Sequence, residues 1–379
     1  MAISAPATAP AVPFLDLRPM HEPLREALLE ELDAVIESGA FTNGPAVARF
    51  EEAFAAYCGR RFCVGTASGL DALRLALLAA GLVPGDEVVV PAQTFVATWE
   101  AVTQAGGRPI PADVSERDYC LDPGSAAEAL GPRTRFLLPV HLYGQAADLA
   151  ALAELADRRG LVLVEDACQA HGARRDGRRA GATGAAAAFS FYPGKNLGAF
   201  GDAGALVSDD PELVEHVTAL REHGQVRKYV HEVEGWTARL DTVQAVVLLR
   251  KLASLDAWNE ERRTAAAYYE AALAGVGDLR LPPVAPHSEP AWHVYVIRTA
   301  DPESLAAFLR ERGIGTGRHY PIPPHLCRAY ASLGFRRGHF PVAEALADEC
   351  LSLPVFPGIR EEQLDAVSTA IAEYFRHDR

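Results

Sequence analysis

Short apolar runs alternate with helical patterns between about residues 62 and 208. The strand candidates, each bounded by Gly, Pro or Asp, are residues 88–90, 136–140, 161–164 and 186–191. Between them, apolar residues recur near helical spacing over residues 70–80, 94–104 and 146–158. This alternation predicts an α/β fold with a mostly parallel sheet covered on both faces. Ligands of such sheets bind beyond the carboxyl ends of the strands, so residues that follow these strands are candidate site residues.

The second half of the chain has a different pattern. A long helical pattern runs from Leu240 to Gly275, and the Pro-rich residues 282–286 separate it from a strand candidate at Trp292–Arg298. Further helices are predicted at residues 302–312, 342–350 and 361–375. We therefore predict a flexible tail over residues 1–13, a large domain over residues 14–250 and a small C-terminal α+β domain over residues 251–379.

Composition and charge narrow the class of protein. Of the 379 residues, 49% are hydrophobic and 23% charged, which is typical of a globular protein and excludes global disorder. A net charge of −14 disfavours nucleic acid and anionic membrane partners. The six cysteines form no CxxC pair, residues 1–13 lack a signal-peptide pattern, and no apolar run approaches the ~18 residues of a membrane span. We expect a cytoplasmic protein.

Several familiar enzyme signatures are absent from the sequence. It contains no G-x-S-x-G, H-E-x-x-H or P-loop motif, and the glycines of residues 198–204 have the wrong spacing for a dinucleotide fingerprint. The basic run at residues 174–179 has Asp-Gly at its centre, which predicts a solvated hairpin turn in preference to a phosphate site.

Three segments carry the candidate chemistry. Asp166 follows an apolar strand, where it could serve a ligand or simply cap a helix. Lys195 follows the next strand candidate, in a Pro-Gly turn flanked by aromatic residues. A carbonyl-reactive lysine needs a neutral amine, and partial burial of Lys195 among these aromatic residues would favour that form. Ser68-Gly69-Leu70-Asp71 opens a helix; Ser68 and Asp71 fit a capping box, and the same backbone N–H groups fit an anion cup.

Together these segments supply what a pyridoxal phosphate enzyme requires. The lysine can form a Schiff base, the strand-end aspartate can partner the pyridine nitrogen, and the helix N-terminus can hold the phosphate.

The chain also resembles the DegT/DnrJ/StrS family of pyridoxal phosphate sugar aminotransferases, which have the fold type I, aspartate aminotransferase-like architecture. The resemblance extends over essentially the whole chain after the tail. Its most specific blocks are residues 139–144 (PVHLYG), 165–172 (EDACQAHG), 190–198 (SFYPGKNLG), 239–244 (RLDTVQ) and 319–326 (HYPIPPHL).

The resemblance implies a role for each matching residue. Lys195 would carry the cofactor as a Schiff base and move the proton during catalysis, and Asp166 would keep the pyridine nitrogen protonated. The rest of the implied cofactor shell is Gly69, Leu70 and Ser190 at the phosphate, Gln169 at the phenolic oxygen and Phe95 on the ring. For Phe95, ordinary core packing is the alternative.

The resemblance also implies a homodimer with composite active sites, in which a loop near residues 224–239 enters the neighbouring site. Thr237 stands where the family typically has Asn; a hydroxyl can donate to a phosphate oxygen but lacks the two amide donors.

The implied substrates are L-glutamate and a nucleotide-linked keto sugar. Tyr192, His319, Tyr320 and His325 are the candidate sugar contacts, although His325 could equally be a packed structural histidine. No carboxylate or cysteine completes a metal ligand set with these histidines. The 190–198 and 319–326 blocks look most like the branch that aminates a 3-keto-6-deoxyhexose, and we expect the sugar to be dTDP-linked.

Alternatives to this function are amination at C-4, a UDP-linked 3-keto substrate, and non-catalytic binding of sugar nucleotides. A fourth is the sugar dehydration performed by relatives with histidine at the lysine position, against which Lys195 argues.

Overall fold

The computed structural model describes residues 12–377. Its α-helices are α1 Arg18–His21, α2 Arg25–Ser38, α3 Pro45–Cys58, α4 Gly69–Ala79, α5 Ala97–Gln104, α6 Pro123–Glu128, α7 Leu149–Arg159, α8 Pro211–Arg221, α9 Thr242–Leu252, α10 Leu255–Leu273, α11 Pro302–Glu311, α12 Pro341–Glu349 and α13 Glu361–His377. Its strands are β1 Phe62–Thr66, β2 Glu87–Pro91, β3 Arg108–Ala112, β4 Thr134–Leu137, β5 Val162–Asp166, β6 Arg174–Arg175, β7 Arg178–Arg179, β8 Ala186–Ser190, β9 Gly204–Ser208, β10 Gln225–Arg227, β11 Val230–His231, β12 Ser288–Glu289, β13 Tyr295–Arg298 and β14 Cys350–Leu353. Short 3-10 turns occupy Glu22–Leu24, Leu142–Gly144, Pro324–Leu326 and Arg328–Leu333. In this described part of the chain, no helix is long and apolar enough to span a membrane.

A seven-stranded sheet in the order β1-β9-β8-β5-β4-β2-β3 forms the centre of the molecule. Strands β3, β2, β4, β5 and β8 pair in parallel, and β9 runs antiparallel between β8 and β1. Apolar clusters cover its two faces, which confirms the predicted α/β class and the mostly parallel sheet. The parallel strands all present their carboxyl ends at one edge of the sheet.

Small side chains in β8 bring a helix end close to that edge. Ala186, Ala187 and Ala188 are fully buried, and helix α4 packs across this strand. The approach is so close that a Cβ on Gly69 would lie 2.6 Å from the Cβ of Ser190. The first turn of α4 therefore sits directly against the end of β8.

A second apolar core lies in the C-terminal part of the chain. Strands β13 and β14 pair antiparallel, and helices α10, α11 and α13 pack on them around Tyr269, Leu305 and Ile371. Val12 joins this core, is only 3% exposed and bridges to Ile314. The predicted flexible tail therefore ends too late: residues 12 and 13 are held by the fold, and residues 1–11 lie outside the described part.

Most of the predicted elements are present, with differences in detail. The Asp176-Gly177 turn does join two short antiparallel strands, β6 and β7. The long helical pattern from residue 240 is interrupted at residues 253–254, because α9 packs into the large core while α10 turns to reach the second core. Strands β1, β3 and β9 of the central sheet are absent from the strand candidates, and β3 contains two prolines, which are unusual within a strand.

Candidate functional site

A cavity of about 580 Å³ opens at the carboxyl edge of the sheet. Its walls come from residues that follow or end β1, β2, β5 and β8, and residues 293–294 and 319–320 of the C-terminal part close it. Of the residues predicted from sequence, Gly69, Leu70, Phe95, Asp166, Gln169, Ser190, Tyr192, Lys195, His319 and Tyr320 line this cavity. Side chains that are far apart in the sequence therefore share one site.

Asp166 ends β5 with its carboxylate turned into the cavity wall. One oxygen accepts the Thr98 hydroxyl at 2.8 Å, and the other accepts the Cys168 backbone N–H at 3.1 Å. Asp166 is only 5% exposed. It is not the N-cap of any helix in the described residues, since the chain continues into a turn after β5. The helix-cap interpretation of this aspartate is wrong.

Lys195 lies in a tight turn that follows β8. Its backbone N–H donates to Tyr192 O at 2.8 Å, and a Cβ on Gly198 would lie 2.3 Å from Pro193 O, so the turn needs glycine there. Asn196 is buried beneath it and donates to Asn259 Oδ1 and Ala291 O. Burial lowers the pKa of the Lys195 amine, while Cys168 and Asp166 oppose this change. The amine is thus shifted toward the neutral form that reacts with carbonyls.

In the first turn of α4, one backbone N–H group is capped and two others have no hydrogen-bond partner among the described residues. Ser68 Oγ accepts the Asp71 N–H at 3.1 Å, which confirms Ser68 as the N-cap. The Asp71 carboxylate accepts the Ser68 hydroxyl at 3.0 Å, and not the Ser68 backbone N–H that would complete a capping box. This cap leaves the N–H groups of Gly69 and Leu70 without a partner among the described residues. The two sequence interpretations are therefore compatible: the cap and an anion use different N–H groups, and Ser190 stands beside the open ones.

Gln169 and Tyr320 form a polar wall on another side. Gln169 is 3% exposed, accepts the Tyr143 N–H at 2.9 Å and donates to the Tyr320 hydroxyl at 3.1 Å. Gln93 donates to Tyr320 O at 3.0 Å, and the Tyr143 hydroxyl donates to His319 O. These contacts attach the His319–Tyr320 segment to the part of the chain that carries the central sheet.

Two aromatic side chains at the mouth of the cavity are partly exposed to solvent. Phe95 is 48% exposed and packs at a tilt on Tyr320 with ring centroids 5.4 Å apart, so the alternative of ordinary core packing is wrong for this residue. Tyr192 is 58% exposed. His319 shares a hydrogen bond of 2.7 Å with Ser352 and stacks on Phe14. Burial, followed by the nearby Lys195, lowers the pKa of His319 to about 4, so its ring is neutral at pH 7.

His325 is not in the cavity wall, which corrects the predicted sugar contact. Its side chain is buried, hydrogen-bonds Glu344 at 3.1 Å and packs edge-on against Phe340. Glu344 also accepts the N–H groups of Gly338 and Phe340. Since this pair fastens the 319–326 segment to α12, the alternative of a structural histidine is the correct one.

Thr237 also lies outside the cavity of its own chain. Its hydroxyl shares a hydrogen bond of 3.1 Å with His223 Nε2, beside the β10–β11 hairpin. Arg227 ends β10, Lys228 and Tyr229 form the turn of the hairpin, and Tyr229 is 81% exposed. This polar projection is what a loop serving a second subunit would look like, and Thr237 stays a predicted cofactor contact.

Sequence reasoning missed several residues of the cavity, among them Thr98, Cys168 and His293. Thr98 and Cys168 both contact Asp166; Cys168 lies two residues after the end of β5, a position that could have indicated it. His293 lines the cavity with a buried Nδ1 that lacks a hydrogen-bond partner among the described residues, and burial lowers its pKa well below the usual value. Nothing in the pattern around Trp292–Arg298 marked this histidine.

The donor set fits pyridoxal phosphate. The open amides of Gly69 and Leu70 with Ser190 suit a dianion, Asp166 suits a protonated ring nitrogen, and the Lys195 amine suits an aldehyde. The tight space at Gly69 is a cradle that a Cβ would fill, because that atom would also lie 2.8 Å from Cys168 Sγ.

Comparison with known proteins agrees with this geometry. The model of the DegT/DnrJ/EryC1/StrS aminotransferase family matches residues 23–372. The chain is 49% identical over 372 residues to the dTDP-3-amino-3,4,6-trideoxy-alpha-D-glucose transaminase of Streptomyces venezuelae, covering 98% of both chains.

Two solved structures are also similar. The S. venezuelae DesV structure, in complex with a ketimine intermediate, matches with a TM-score of 0.94 and 49% identity, covering 97% of this chain and 99% of DesV. The Bacillus subtilis protein NtdA, with bound cofactor PMP, matches with a TM-score of 0.90 and 31% identity, covering 98% of this chain and 86% of NtdA.

Proposed function

The chain belongs to the DegT/DnrJ/EryC1/StrS aminotransferase family, and from this premise we propose that it aminates C-3 of a dTDP-linked 3-keto-6-deoxyhexose with L-glutamate as amino donor. It is a pyridoxal phosphate-dependent aminotransferase with the fold type I architecture. The observation that carries the substrate assignment is the near full-length identity of 49% to a dTDP-3-amino sugar transaminase.

Each residue of the cavity has a separate proposed role in binding or catalysis. The cofactor, when bound, acts as an electron sink that stabilises negative charge on the substrate carbon. Lys195 Nζ would hold the cofactor and then move a proton at the reacting carbon. Asp166 would accept the hydrogen bond of the ring nitrogen, and the Gly69 and Leu70 amides with Ser190 would hold the phosphate. Gln169 would serve the phenolic oxygen, and Phe95 would cover a face of the ring.

Tyr192, His319 and Tyr320 are placed to set the depth of the sugar. All three line the cavity, and Tyr320 is fixed by Gln93 and Gln169. C-3 and C-4 differ by one ring position, and a displacement near 1 Å can cost about 100-fold in rate. The wall that holds the hexose hydroxyls therefore decides which carbonyl reaches the cofactor.

A panel of substrates tests this assignment. Purified protein with pyridoxal phosphate and L-glutamate is assayed on the 3-keto and 4-keto 6-deoxyhexoses, each as the dTDP and the UDP nucleotide. We expect the highest kcat/KM for the dTDP-linked 3-keto sugar. Faster turnover of a 4-keto isomer would overturn the regiochemistry, and faster turnover of the UDP sugar would overturn the nucleotide.

The charge of the cavity supports a homodimer. Lys195 is the single Lys or Arg in its described lining, which also carries Glu100, Asp166 and Asp202. The diphosphate group of a nucleotide-linked sugar is bound by cationic side chains. The exposed hairpin with Arg227 and Lys228 would supply such side chains to the cavity of a second copy.

Hybrid dimers test this composite site. A Lys195→Ala chain is mixed with a chain that carries Arg227→Ala, Lys228→Ala and Thr237→Ala, each inactive alone. We expect activity to return in the mixture, because one of the two sites in each hybrid then has an intact lysine and an intact neighbouring loop. Absence of recovery despite proven subunit exchange would contradict shared sites.

A further inference from the structure

Two buried threonines stand behind the strand-end aspartate. Thr98 Oγ1 donates to Asp166 Oδ2 at 2.8 Å, and Thr94 Oγ1 lies 2.8 Å from Thr98 Oγ1. Both threonines are 1% exposed. Thr94 lies in the loop that follows β2 and Thr98 lies in the first turn of α5, and the path of the chain between them brings their hydroxyls into contact.

Each hydroxyl has one proton to donate, and this fixes the direction of the hydrogen bonds. A carboxylate only accepts hydrogen bonds, so the one proton of Thr98 is committed to Asp166. Thr98 Oγ1 can then only accept from Thr94, whose hydroxyl must be the donor. The order is Thr94 to Thr98 to Asp166 Oδ2, and the Cys168 N–H holds the other carboxylate oxygen.

We propose that Thr98, supported by Thr94, is a positioning residue that fixes the Asp166 carboxylate toward the cofactor ring nitrogen. With one donor on each oxygen, the carboxylate cannot rotate about its Cβ–Cγ bond without breaking a hydrogen bond. One acceptor site on each oxygen stays open for the ring N–H. Because the donors are a neutral hydroxyl and a backbone amide, they orient the carboxylate without cancelling its charge.

The choice of donor has a chemical reason. An Arg or Lys at the position of Thr98 would form an ion pair with Asp166 and compete with the positively charged ring for the same carboxylate. A hydroxyl gives direction without that competition. This inference rests on the proposed function, since Asp166 has a ring to face only if the protein binds pyridoxal phosphate.

Substitutions at residue 98 separate the hydroxyl from the shape of the side chain. Thr98→Val keeps the branched shape and removes the donor, Thr98→Ser keeps the donor, and Thr94→Val removes only the support. Thr103→Val is the matched control, because Thr103 lies on the same helix and donates to the helix carbonyls of Trp99 and Glu100.

Titration of the cofactor-free protein with pyridoxal phosphate is the first measurement. We expect Thr98→Val to raise the Kd about 10-fold, the loss of one hydrogen bond to a charged group, and Thr98→Ser to stay within about 3-fold of wild type. Thr94→Val should fall between them, and Thr103→Val should match wild type. The pH titration of the bound cofactor's absorbance should shift in Thr98→Val and not in Thr103→Val.

A double-mutant cycle shows whether Thr98 acts through Asp166. In an Asp166→Asn background, Thr98→Val should weaken cofactor binding by less than about 3-fold, because the carboxylate that it orients is gone. Equal effects in both backgrounds would overturn the inference and indicate a purely structural role. So would a Thr98→Val protein that binds the cofactor like Thr103→Val.

The outcome for the wild-type protein separates this inference from the proposed function. If wild type binds no pyridoxal phosphate, both fail. If wild type binds it and Thr98→Val binds it equally well with an unchanged spectrum, the function stands and this inference alone is refuted.

Discussion

Replacement of Asp166 by Asn removes one negative charge and almost nothing else. Asn has the same size, its oxygen can still accept the Cys168 N–H, and its nitrogen faces Thr98 Oγ1, which can accept. The fold should therefore tolerate Asp166→Asn with a change in Tm of only a few degrees. Any large loss of activity then reports on the charge.

The magnitude of this loss follows from the burial of the site. Asp166 is 5% exposed, so its charge is poorly screened by solvent. Loss of one electrostatic stabiliser in an active site costs roughly 2 to 4 kcal/mol of barrier. The upper value is also the Coulomb energy of two unit charges about 4 Å apart at an effective dielectric constant of about 20. Such a cost lowers kcat by about 30-fold to 1000-fold.

Steady-state kinetics with the keto sugar nucleotide and L-glutamate provide the assay. We expect kcat and kcat/KM to fall together, because the charge matters in the transition state and not for substrate docking. Asp157→Asn is the matched control, since Asp157 is exposed at the end of α7, the helix that precedes β5. A kcat for Asp166→Asn close to that of Asp157→Asn would refute the assigned role.

Three further predictions follow from the same structure. Lys195→Ala should abolish turnover and the absorbance band of the lysine-bound cofactor, and an unchanged band would refute the assignment. Gly69→Ala should raise the Kd for pyridoxal phosphate at least ~10-fold in titrations, because its Cβ would lie 2.6 Å from Ser190 Cβ; unchanged affinity would place the phosphate elsewhere. Burial lowers the pKa of His171 to about 3, so the folded state binds its proton less readily than the unfolded state and loses stability as the pH falls below about 6.5. Between pH 7 and pH 5, His171 should lower the free energy of unfolding by about 2 kcal/mol. In denaturant unfolding, His171→Phe should therefore show a weaker pH dependence of stability than His216→Phe, the control at an exposed histidine. An equal pH dependence of the two variants would contradict the assignment to His171.

The parts of the site that the sequence predicted are those with local signals. Asp166 and Lys195 follow strands whose apolar runs are visible, and the carboxyl edge of a parallel sheet collects such residues. The Ser68 helix cap and the Asp176-Gly177 hairpin depend on contacts three to five residues apart, which the pattern also shows. These features therefore appeared in the structure as predicted.

The parts that it missed depend on packing between distant segments. Nothing next to His325 indicates that Glu344 will bury it, and nothing near Thr98 indicates that its hydroxyl will meet Asp166, 68 residues later. The reversed direction of β9 also follows from the turn that carries Lys195, because that turn returns the chain beside β8. Such relations become visible only when the segments are placed in space.

The attachment of Tyr320 to the part of the chain that carries the central sheet also sets the order in which the site is made during synthesis. Its carbonyl accepts from Gln93 across 227 residues of sequence, and its hydroxyl accepts from Gln169 across 151. At about 5–20 residues per second, a ribosome needs roughly 6–25 s to travel from residue 195 to residue 320. During this interval β5 with Asp166 and the turn with Lys195 have already been synthesised, while the wall that we propose to select the sugar does not yet exist. A nascent chain can therefore present its reactive lysine well before it can discriminate between substrates.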